Sequence, residues 1–337
     1  MAETGEARTD RYAAVVYNPI KKDLDKLRVS VDAAAAAAGW AESHWFPTSA
    51  DDGGRHATRL ALRSGASLVV AAGGDGTVRA VAQAMRDSDV SLAIVPMGTG
   101  NLLARNLQLP LGSIDDSATV AFGGDDRAID VGLATVTDVN GKTSEHVFLV
   151  MAGLGIDAEM LANTRADLKK QVGWLAYVDA GVRVIPRSEQ FRIRYSLGGR
   201  SDRHAHISTI LIANCGLLPA NVQFLPDARV DDGILDIAVL QPRGMLDWLK
   251  IWRRVTWDNG VLRRSSVGRR IIRLTEVDNE RMMTTFRSRD VRIVVEKPQE
   301  FELDGDEFGK VRSVFLRTDQ RSLLVRVPAS SAVGPVG

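Results

Sequence analysis

Short apolar runs alternate with amphipathic segments through the first third of the chain. The runs are rich in small and β-branched residues, which is typical of buried strands. Four of them lie at residues 12–18, 43–48, 67–72 and 91–96. Helices are predicted between them at 22–38 and 55–64, and again after Thr77. This order of strands and helices predicts a doubly wound α/β domain.

From about residue 128 the pattern changes to long runs in which apolar and polar residues alternate. Such alternation predicts antiparallel strands with one buried face. The predicted strands include 191–195, 203–213, 271–276, 290–296 and 301–303, with two more at 314–317 and 323–327. We therefore predict an N-terminal α/β domain at 10–127, completed by 313–329, and a C-terminal antiparallel β-sandwich-like domain at 128–312. Because pockets commonly lie between domains, we expect the active site there.

Two glycine turns follow the third and fourth predicted strands. Residues 73–77 read Gly-Gly-Asp-Gly-Thr, and residues 98–101 read Gly-Thr-Gly-Asn. Glycine lets backbone N–H groups approach an anion, and the start of a helix favours negative charge. Neither turn matches the P-loop or the G-x-G-x-x-G dinucleotide motif. The pair therefore predicts a phosphate cradle of another kind.

Composition narrows the classes of partner. The chain has 337 residues, of which 43 are basic and 42 acidic, so nothing in its overall charge indicates nucleic acid. Its one cysteine, Cys215, lies in an apolar run, which excludes an intramolecular disulfide and predicts a buried thiol. Residues 1–10 are polar and no run of about 18 apolar residues occurs, so we expect a cytoplasmic protein.

Both turns belong to a set of segments that resembles the diacylglycerol kinase catalytic-domain family, which includes sphingosine, ceramide and bacterial lipid kinases. The matching segments, in the family's order, are 17–19, 73–77, 96–107, 226–236 and 303–306. The resemblance implies an ATP- and Mg²⁺-dependent kinase that phosphorylates a lipid hydroxyl, with diacylglycerol converted to phosphatidic acid as the first expectation. It also implies that the first domain binds nucleotide and the second binds the lipid.

The same matching implies a set of nucleotide contacts. They are Asn18, Thr48, Gly73, Gly74, Asp75, Gly76, Thr77, Gly98, Thr99 and Asn101. Thr48 and Thr77 also have plain structural interpretations, as a strand-end cap and a helix N-cap. The chain departs from the family at Arg79 and Ala80, where many members have Asn or Glu, and at Leu102, where Asp is frequent.

Three acidic residues are candidates for catalysis. Asp75 lies beside the predicted phosphates, where a carboxylate is expected to hold Mg²⁺ or else to stabilise an Asx turn. Asp304 and Asp306 lie two apart in a segment that, if extended, directs both carboxylates to one reacting group. The resemblance favours Asp306 as proton acceptor in place of the family's glutamate, with Asp304 and Glu307 left open. The alternative is an Asp-Gly hairpin turn.

A third acidic cluster resembles the family's structural Mg²⁺ site. The resemblance implies that Asp232 supplies a carboxylate and that Arg229 and Ile234 supply backbone oxygens. The alternative is a plain acidic turn before a strand.

The lipid acceptor and the membrane are expected to be met by the second domain. Residues 171–178 and 182–185 are apolar enough to line an acyl-chain channel, or else form helical core. Residues 245–257 predict an amphipathic helix with tryptophans on one face, and the arginines of 263–273 follow it. This segment either meets anionic lipid headgroups at a membrane surface or is an ordinary surface helix.

Two rival functions and the oligomeric state remain open from the sequence. An NAD kinase also carries Gly-Gly-Asp-Gly-Thr at a strand end, but its second motif differs from residues 98–107. Asp306 and Leu102 motivate the other rival, a catalytically inactive lipid-binding regulatory protein. The expected partner is a lipid at the membrane surface, met as a peripheral protein, with no nucleic acid and with a homodimer left open.

Overall fold

A computed structural model of the chain describes residues 11–155, 190–218, 222–242 and 283–329. The described residues fall into two units. Unit 1 takes those of Met1–Ile129 and Arg321–Gly337, and unit 2 takes those of Asp130–Gln320. The limits predicted for the domains, 127 and 313, stay predictions, and the second differs from the division at Arg321.

A parallel sheet forms the centre of unit 1. Its strands are β1 (Ala13–Tyr17), β2 (His44–Pro47), β3 (Leu68–Gly73) and β4 (Ser91–Pro96). They lie in the order β2-β1-β3-β4, and every neighbouring pair is parallel. The last strand of the chain, β16 (Asp306–Val327), adds Val325 opposite Leu92, also in parallel.

Helices cover both faces of this sheet. They are α1 (Leu24–Ala37), α2 (Arg55–Arg63), α3 (Asp75–Met85), α4 (Leu102–Asn106) and α5 (Ile114–Gly123). Val15 of β1 packs in one core cluster with Leu27 of α1 and Phe122 of α5, whereas its neighbour Ala14 packs with Ala61 of α2. Fully burying a side chain such as Val15 contributes about 1.5–3 kcal/mol. The predicted doubly wound α/β fold is confirmed, and α5 was not predicted.

Antiparallel strands form unit 2. They are β5 (Asp125–Asp138), β6 (Thr143–Phe148), β7 (Met151–Leu154), β8 (Phe191–Leu197), β9 (Arg203–Ile207), β10 (Thr209–Ala213), β11 (Leu217–Leu218), β12 (Val222–Gln223), β13 (Leu235–Leu240), β14 (Met283–Ser288), β15 (Asp290–Leu303) and β16. The main order is β14-β13-β10-β7-β15-β16, with β8 also on β15, β9 on β8, and β6 on β5. Strands β5 and β16 contribute residues to both units. The predicted β-rich C-terminal fold is confirmed.

Three strand predictions in unit 2 need correction. The single strand predicted at 203–213 is two, because the chain changes partners at Ser208: β9 pairs with β8, and β10 pairs with β7 and β13. The two strands predicted within 290–303 are one, β15, whose register shifts between Val294 and Gln299, around Pro298. Proline has no N–H to donate to the ladder, which explains the irregularity.

The third correction joins 314–317 and 323–327 in the single strand β16. The strand predicted at 271–276 lies outside the described residues.

Buried aromatic and aliphatic side chains, among them Phe148, Phe301 and Ile293, form the core of unit 2. None of the helices in the described ranges is both long enough and apolar enough to cross a membrane.

Candidate active site

The predicted nucleotide contacts of unit 1 gather at the carboxyl edge of its parallel sheet. Asn18 follows β1, Thr48 follows β2, and the two glycine turns follow β3 and β4. The backbone N–H of Asn18 donates to the Ala72 carbonyl at 3.2 Å, which holds the ends of β1 and β3 together. Ligands of open α/β sheets bind at this edge, where the strand order reverses, and here it reverses between β1 and β3.

The two glycine turns are in direct contact. A Cβ added to Gly98 would lie 2.7 Å from the Gly74 Cα and 2.9 Å from the Asn101 Oδ1. A Cβ added to Gly73 would lie 2.6 Å from the Thr77 Cβ. Real Cβ atoms do not approach so closely. The contact between the turns therefore requires glycine at position 98, and the packing of Thr77 within the first turn requires glycine at position 73.

The Asp75 carboxylate links the two turns. Its Oδ2 accepts the Asn101 N–H at 2.8 Å, and its Oδ1 accepts the Leu102 N–H at 2.6 Å. Asn101 itself has φ 47°, and its side chain closes the second turn by accepting the Gly98 N–H at 3.0 Å and donating to the Gly98 carbonyl at 2.8 Å. Asp75 therefore fixes the position of one turn against the other.

The start of α3 presents its first amides at the same edge. Val78 N–H donates to the Gly74 carbonyl at 3.0 Å, so the amides of residues 75–77 come before the regular hydrogen-bond pattern of the helix. Gly74, the N-cap, has no side chain that could cover them. This arrangement favours an anion.

The start of α2 differs, because the Asp52 carboxylate covers it. Asp52 accepts the Gly54 N–H at 2.9 Å and the His56 N–H at 2.6 Å. Burial alone would raise the pKa of Asp52, but these amides, the Ser49 hydroxyl and the charge of Arg55 together hold the pKa below its usual range. Sequence reasoning missed this residue, whose signal is an acidic side chain just before a helix.

In unit 2, the 303–306 segment is a hairpin turn. Leu303 pairs with Asp306, and the two residues between them, Asp304 and Gly305, have φ 50° and 89°. This is the geometry of a tight two-residue hairpin. The expectation that Asp304 and Asp306 direct their carboxylates to one group is wrong, because Asp304 is a left-handed turn residue and the segment is not extended.

Asp304 and Asp306 differ in environment. Asp304 is 7% exposed; its Oδ2 accepts the Leu149 N–H at 2.9 Å, and its Oδ1 accepts those of Val150 and Met151 at 2.8 and 2.9 Å. Asp306 opens β16 and is exposed. Asp304 is thus an anchor for the turn, and Asp306 is the accessible carboxylate of the pair.

A buried polar network extends from this anchor to the 229–236 loop. Asn214 donates its Nδ2 to the carbonyls of Leu149 and Asp130, both at 3.0 Å. The Asp130 carboxylate accepts the Gly233 N–H at 2.5 Å. Asp130 and Asn214 are fully buried, and sequence reasoning missed both, although each is a polar residue inside an apolar run. Cys215, beside Asn214, is buried as predicted.

In the 229–236 loop, the Asp232 carboxylate that was predicted as a metal ligand is bound within the protein. The Asp232 Oδ1 accepts the Ile234 N–H at 3.1 Å, and its Oδ2 accepts from Arg287 Nη2 at 2.5 Å. Arg287 Nε also lies 3.2 Å from Asp236 Oδ1. A guanidinium therefore lies against the carboxylate that was predicted for Mg²⁺, and the metal site with Arg229 and Ile234 as the other ligands stays a prediction.

The carboxyl beside this guanidinium is strongly perturbed. Burial raises the pKa of Asp236 to about 6, against the opposing effect of Arg287. For Arg287, burial lowers the pKa, but Asp236 and Asp232 together outweigh it and raise the pKa above its ordinary value. Sequence reasoning did not find Arg287, which lies on β14, far along the chain from the loop.

Comparison with known proteins identifies the family. The model of the diacylglycerol kinase catalytic domain matches residues 12–134, and that of the YegS C-terminal NAD kinase beta sandwich-like domain matches 149–318. The chain belongs to this lipid kinase family. As a family member it is an ATP-dependent kinase, and the predicted resemblance is confirmed.

The chain is similar in sequence to named relatives over most of its length. "Diacylglycerol kinase" of Bacillus subtilis is 25% identical over 328 residues, which are 95% of this chain and 97% of that protein. "Probable lipid kinase YegS-like" of Pseudomonas fluorescens is 31% identical over 247 residues, which are 72% of this chain and 77% of that protein. The crystal structure of a diacylglycerol kinase from Bacillus anthracis superposes with a TM-score of 0.67 at 20% identity, covering 96% of this chain and 98% of its own. This last likeness shows the fold.

Some of the predicted site stays a prediction. The nucleotide contacts lie in unit 1, whereas Asp304, Asp306 and Asp232 lie in unit 2, and that these sets face one nucleotide and one acceptor is still a prediction. The predicted acyl-chain residues 171–178 and 182–185, the amphipathic helix 245–257 and the arginines of 263–273 lie outside the described residues.

Proposed function

We propose that this kinase transfers the γ-phosphoryl group of ATP to a lipid hydroxyl at a membrane surface, with diacylglycerol as acceptor and phosphatidic acid as product. The observation that carries the proposal is the pair of touching glycine turns, linked by the Asp75 carboxylate, at the carboxyl edge of the unit 1 sheet. At this edge a ligand can come close to the glycine backbone and to the first amides of α3. Such a combination suits the phosphates of a nucleotide.

The roles in unit 1 follow from this geometry. Backbone amides of residues 74–77, with those of Thr99 and Gly100, hold the phosphates, because the Gly98 and Asn101 amides already donate to Asn101 Oδ1 and Asp75 Oδ2. Asn18 and Thr48 line the same edge. Mg²⁺, when it accompanies ATP, neutralises charge on the phosphoryl group that is transferred. Asp75 lies at this edge and helps to hold this ion, directly or through water, while its oxygens also accept the Asn101 and Leu102 N–H groups.

Asp306 is proposed as the base. Its carboxylate takes the proton of the acceptor hydroxyl as the hydroxyl oxygen forms its bond to the γ-phosphorus and the bond to the ADP oxygen breaks. Asp304 positions the turn through its three backbone N–H donors. Neighbouring residues of a strand point to opposite faces, so Glu307 points away from the side that Asp306 serves.

An acceptor panel tests the proposal. The full chain is incubated with labelled ATP and Mg²⁺ and with diacylglycerol, sphingosine, ceramide or monoacylglycerol in mixed micelles, and NAD serves as the soluble control. Label in diacylglycerol supports the proposal, and label in another lipid changes the acceptor alone. Label only in NAD would show that the protein is an NAD kinase and would refute the proposal. ATP binding without label in any acceptor would favour the inactive lipid-binding protein.

A further inference from the structure

A cationic pocket lies in unit 2 between the β8–β9 hairpin and strand β14. Its volume is about 260 Å³. The polar residues that line it are three arginines and three serines, and no carboxylate is among its lining residues in the described ranges: Arg200, Arg203, Arg287, Ser196, Ser201 and Ser288. A guanidinium can bind two phosphate oxygens through parallel N–H bonds, and a serine hydroxyl can donate to a third.

Two of the arginines that line the pocket are not neutralised by a carboxylate among the described residues. Within the described part of the chain, Arg200 and Arg203 form no ion pair, whereas the nearby Asp202 is paired with Arg194 at 3.6 Å. Arg287, at the other side of the pocket, is paired with Asp232 and Asp236. Asp202, Asp232 and Asp236 are therefore matched by other arginines, and Asp290, whose carbonyl accepts the Gly198 N–H, is not a lining residue. Three arginines among the lining residues give the pocket itself a positive charge.

An apolar cavity adjoins the cationic pocket. Its volume is about 60 Å³, and it shares Tyr195, Leu197 and Phe286 with the pocket. Ile237 and Val239 of β13 line its floor. A site with positive charge on one side and aliphatic and aromatic side chains on the other matches a molecule that is both anionic and apolar. A free phosphate or a soluble sugar phosphate would leave the apolar half unused.

We propose that this pocket binds the phosphate headgroup of an anionic membrane phospholipid, with the adjoining part of the lipid against Tyr195, Leu197 and Phe286. The acceptor diacylglycerol has no charge, so the arginines do not recognise it. The site instead holds unit 2 on the bilayer in which the acceptor lies. The inference rests on the proposed function only for the premise that the protein works at a membrane.

Vesicle binding without ATP tests the pocket. The full chain is sedimented with vesicles of phosphatidylcholine alone or mixed with phosphatidylglycerol, and the partition coefficient is measured. An arginine near an anionic membrane strengthens binding about five-fold, so R200Q/R203Q is expected to weaken binding to the mixed vesicles about 25-fold. Binding to phosphatidylcholine alone is expected to be weak for both proteins.

A matched variant separates the pocket from general charge. R192Q/R312Q removes the same charge from the same unit, but Arg192 is paired with Glu296 at 3.9 Å and Arg312 donates to the Val139 carbonyl at 2.9 Å. Neither residue lines the pocket. We expect this variant to bind the mixed vesicles nearly as well as the wild type. An equal loss in both double variants would overturn the proposal.

Two further arms keep the test decisive. S201E puts a carboxylate into the pocket and should weaken vesicle binding as R200Q/R203Q does, even if that double variant fails to fold. Binding of glycerol phosphate in solution that is sensitive to R200Q/R203Q, with no preference for anionic vesicles, would overturn the lipid assignment. Vesicle binding is measured without ATP and therefore does not depend on catalysis. Intact vesicle binding together with no phosphate transfer in the acceptor panel would refute the proposed function and leave the pocket proposal unaffected.

Discussion

Replacement of Asp304 by asparagine is expected to lower the free energy of unfolding by about 3 kcal/mol while leaving the proposed base in place. The Asp304 carboxylate is buried and accepts the N–H groups of Leu149, Val150 and Met151. An asparagine oxygen in the Oδ1 position still accepts the Val150 and Met151 N–H groups, but without the negative charge. Its NH₂ group then faces the Leu149 N–H, so two donors oppose each other.

The magnitude comes from these bonds. Hydrogen bonds to a charged group contribute about 1.5–3 kcal/mol each, neutral ones about 1, and a buried N–H left without an acceptor costs about 1–3. Backbone strain does not add to the loss, because asparagine tolerates the left-handed φ of 50° at this position. At the low ends of these ranges the lost bond contributes about 1.5 kcal/mol and each weakened bond about 0.5, which sums to about 2.5 kcal/mol and is close to the expected value.

Urea unfolding of the full chain measures the loss as a lower midpoint at an unchanged slope. Asp306→Asn is the matched control, since it makes the same chemical change two residues away at an exposed position. Its unfolding free energy should stay within about 0.5 kcal/mol of the wild type. If Asp304→Asn keeps its stability and instead loses phosphate transfer, the anchor role is refuted and Asp304 is a reacting group.

Three further predictions concern the turns and the 229–236 loop. Asp75→Ala unlinks the two glycine turns, so calorimetric titration should show weaker ATP binding, and phosphate transfer should fall with it; unchanged affinity would contradict the link. Gly98→Ala forces a Cβ to 2.7 Å from the Gly74 Cα and should weaken ATP binding at least ten-fold, whereas Gly112→Ala, with no atom within 4 Å, should not. The pKa of Asp236 is raised from 3.8 to about 6 in the folded state, so the folded state binds more protons than the unfolded state between these two pH values. The contribution of Asp236 to stability is therefore full below pH 3.8 and declines as the pH rises through 6. Asp236→Asn should flatten this decline in unfolding curves measured across that range, and a wild-type stability that rises over the same range would contradict the assignment.

The glycine turns show how far sequence reasoning reaches. Residues 73–77 and 98–101 each follow a short buried strand, and neighbouring parallel strands end at one edge, so their position was predictable. The link between them was not, because it runs from the Asp75 side chain to the amides of Asn101 and Leu102. A contact of this kind depends on the packing of two strands and leaves no periodic signal in the sequence.

The acidic clusters of unit 2 show the opposite case. The Asp304-Gly305 pair is a strong hairpin signal and was recognised as one alternative, yet the partners of its carboxylate lie more than a hundred residues earlier. Asp232 was recognised as part of a metal site, but its partner Arg287 comes from a distant strand. Residue types alone identified the acidic positions, and long-range pairing decided their environments.

Phosphate transfer from labelled ATP to diacylglycerol, by wild type and Asp306→Asn side by side with ATP affinity measured on both, is the most direct test of the proposed kinase. We expect labelled phosphatidic acid from the wild type, none from Asp306→Asn, and the same ATP affinity for both proteins. Label in NAD in place of a lipid, or equal lipid label from the two proteins, would contradict the assignment of function and base.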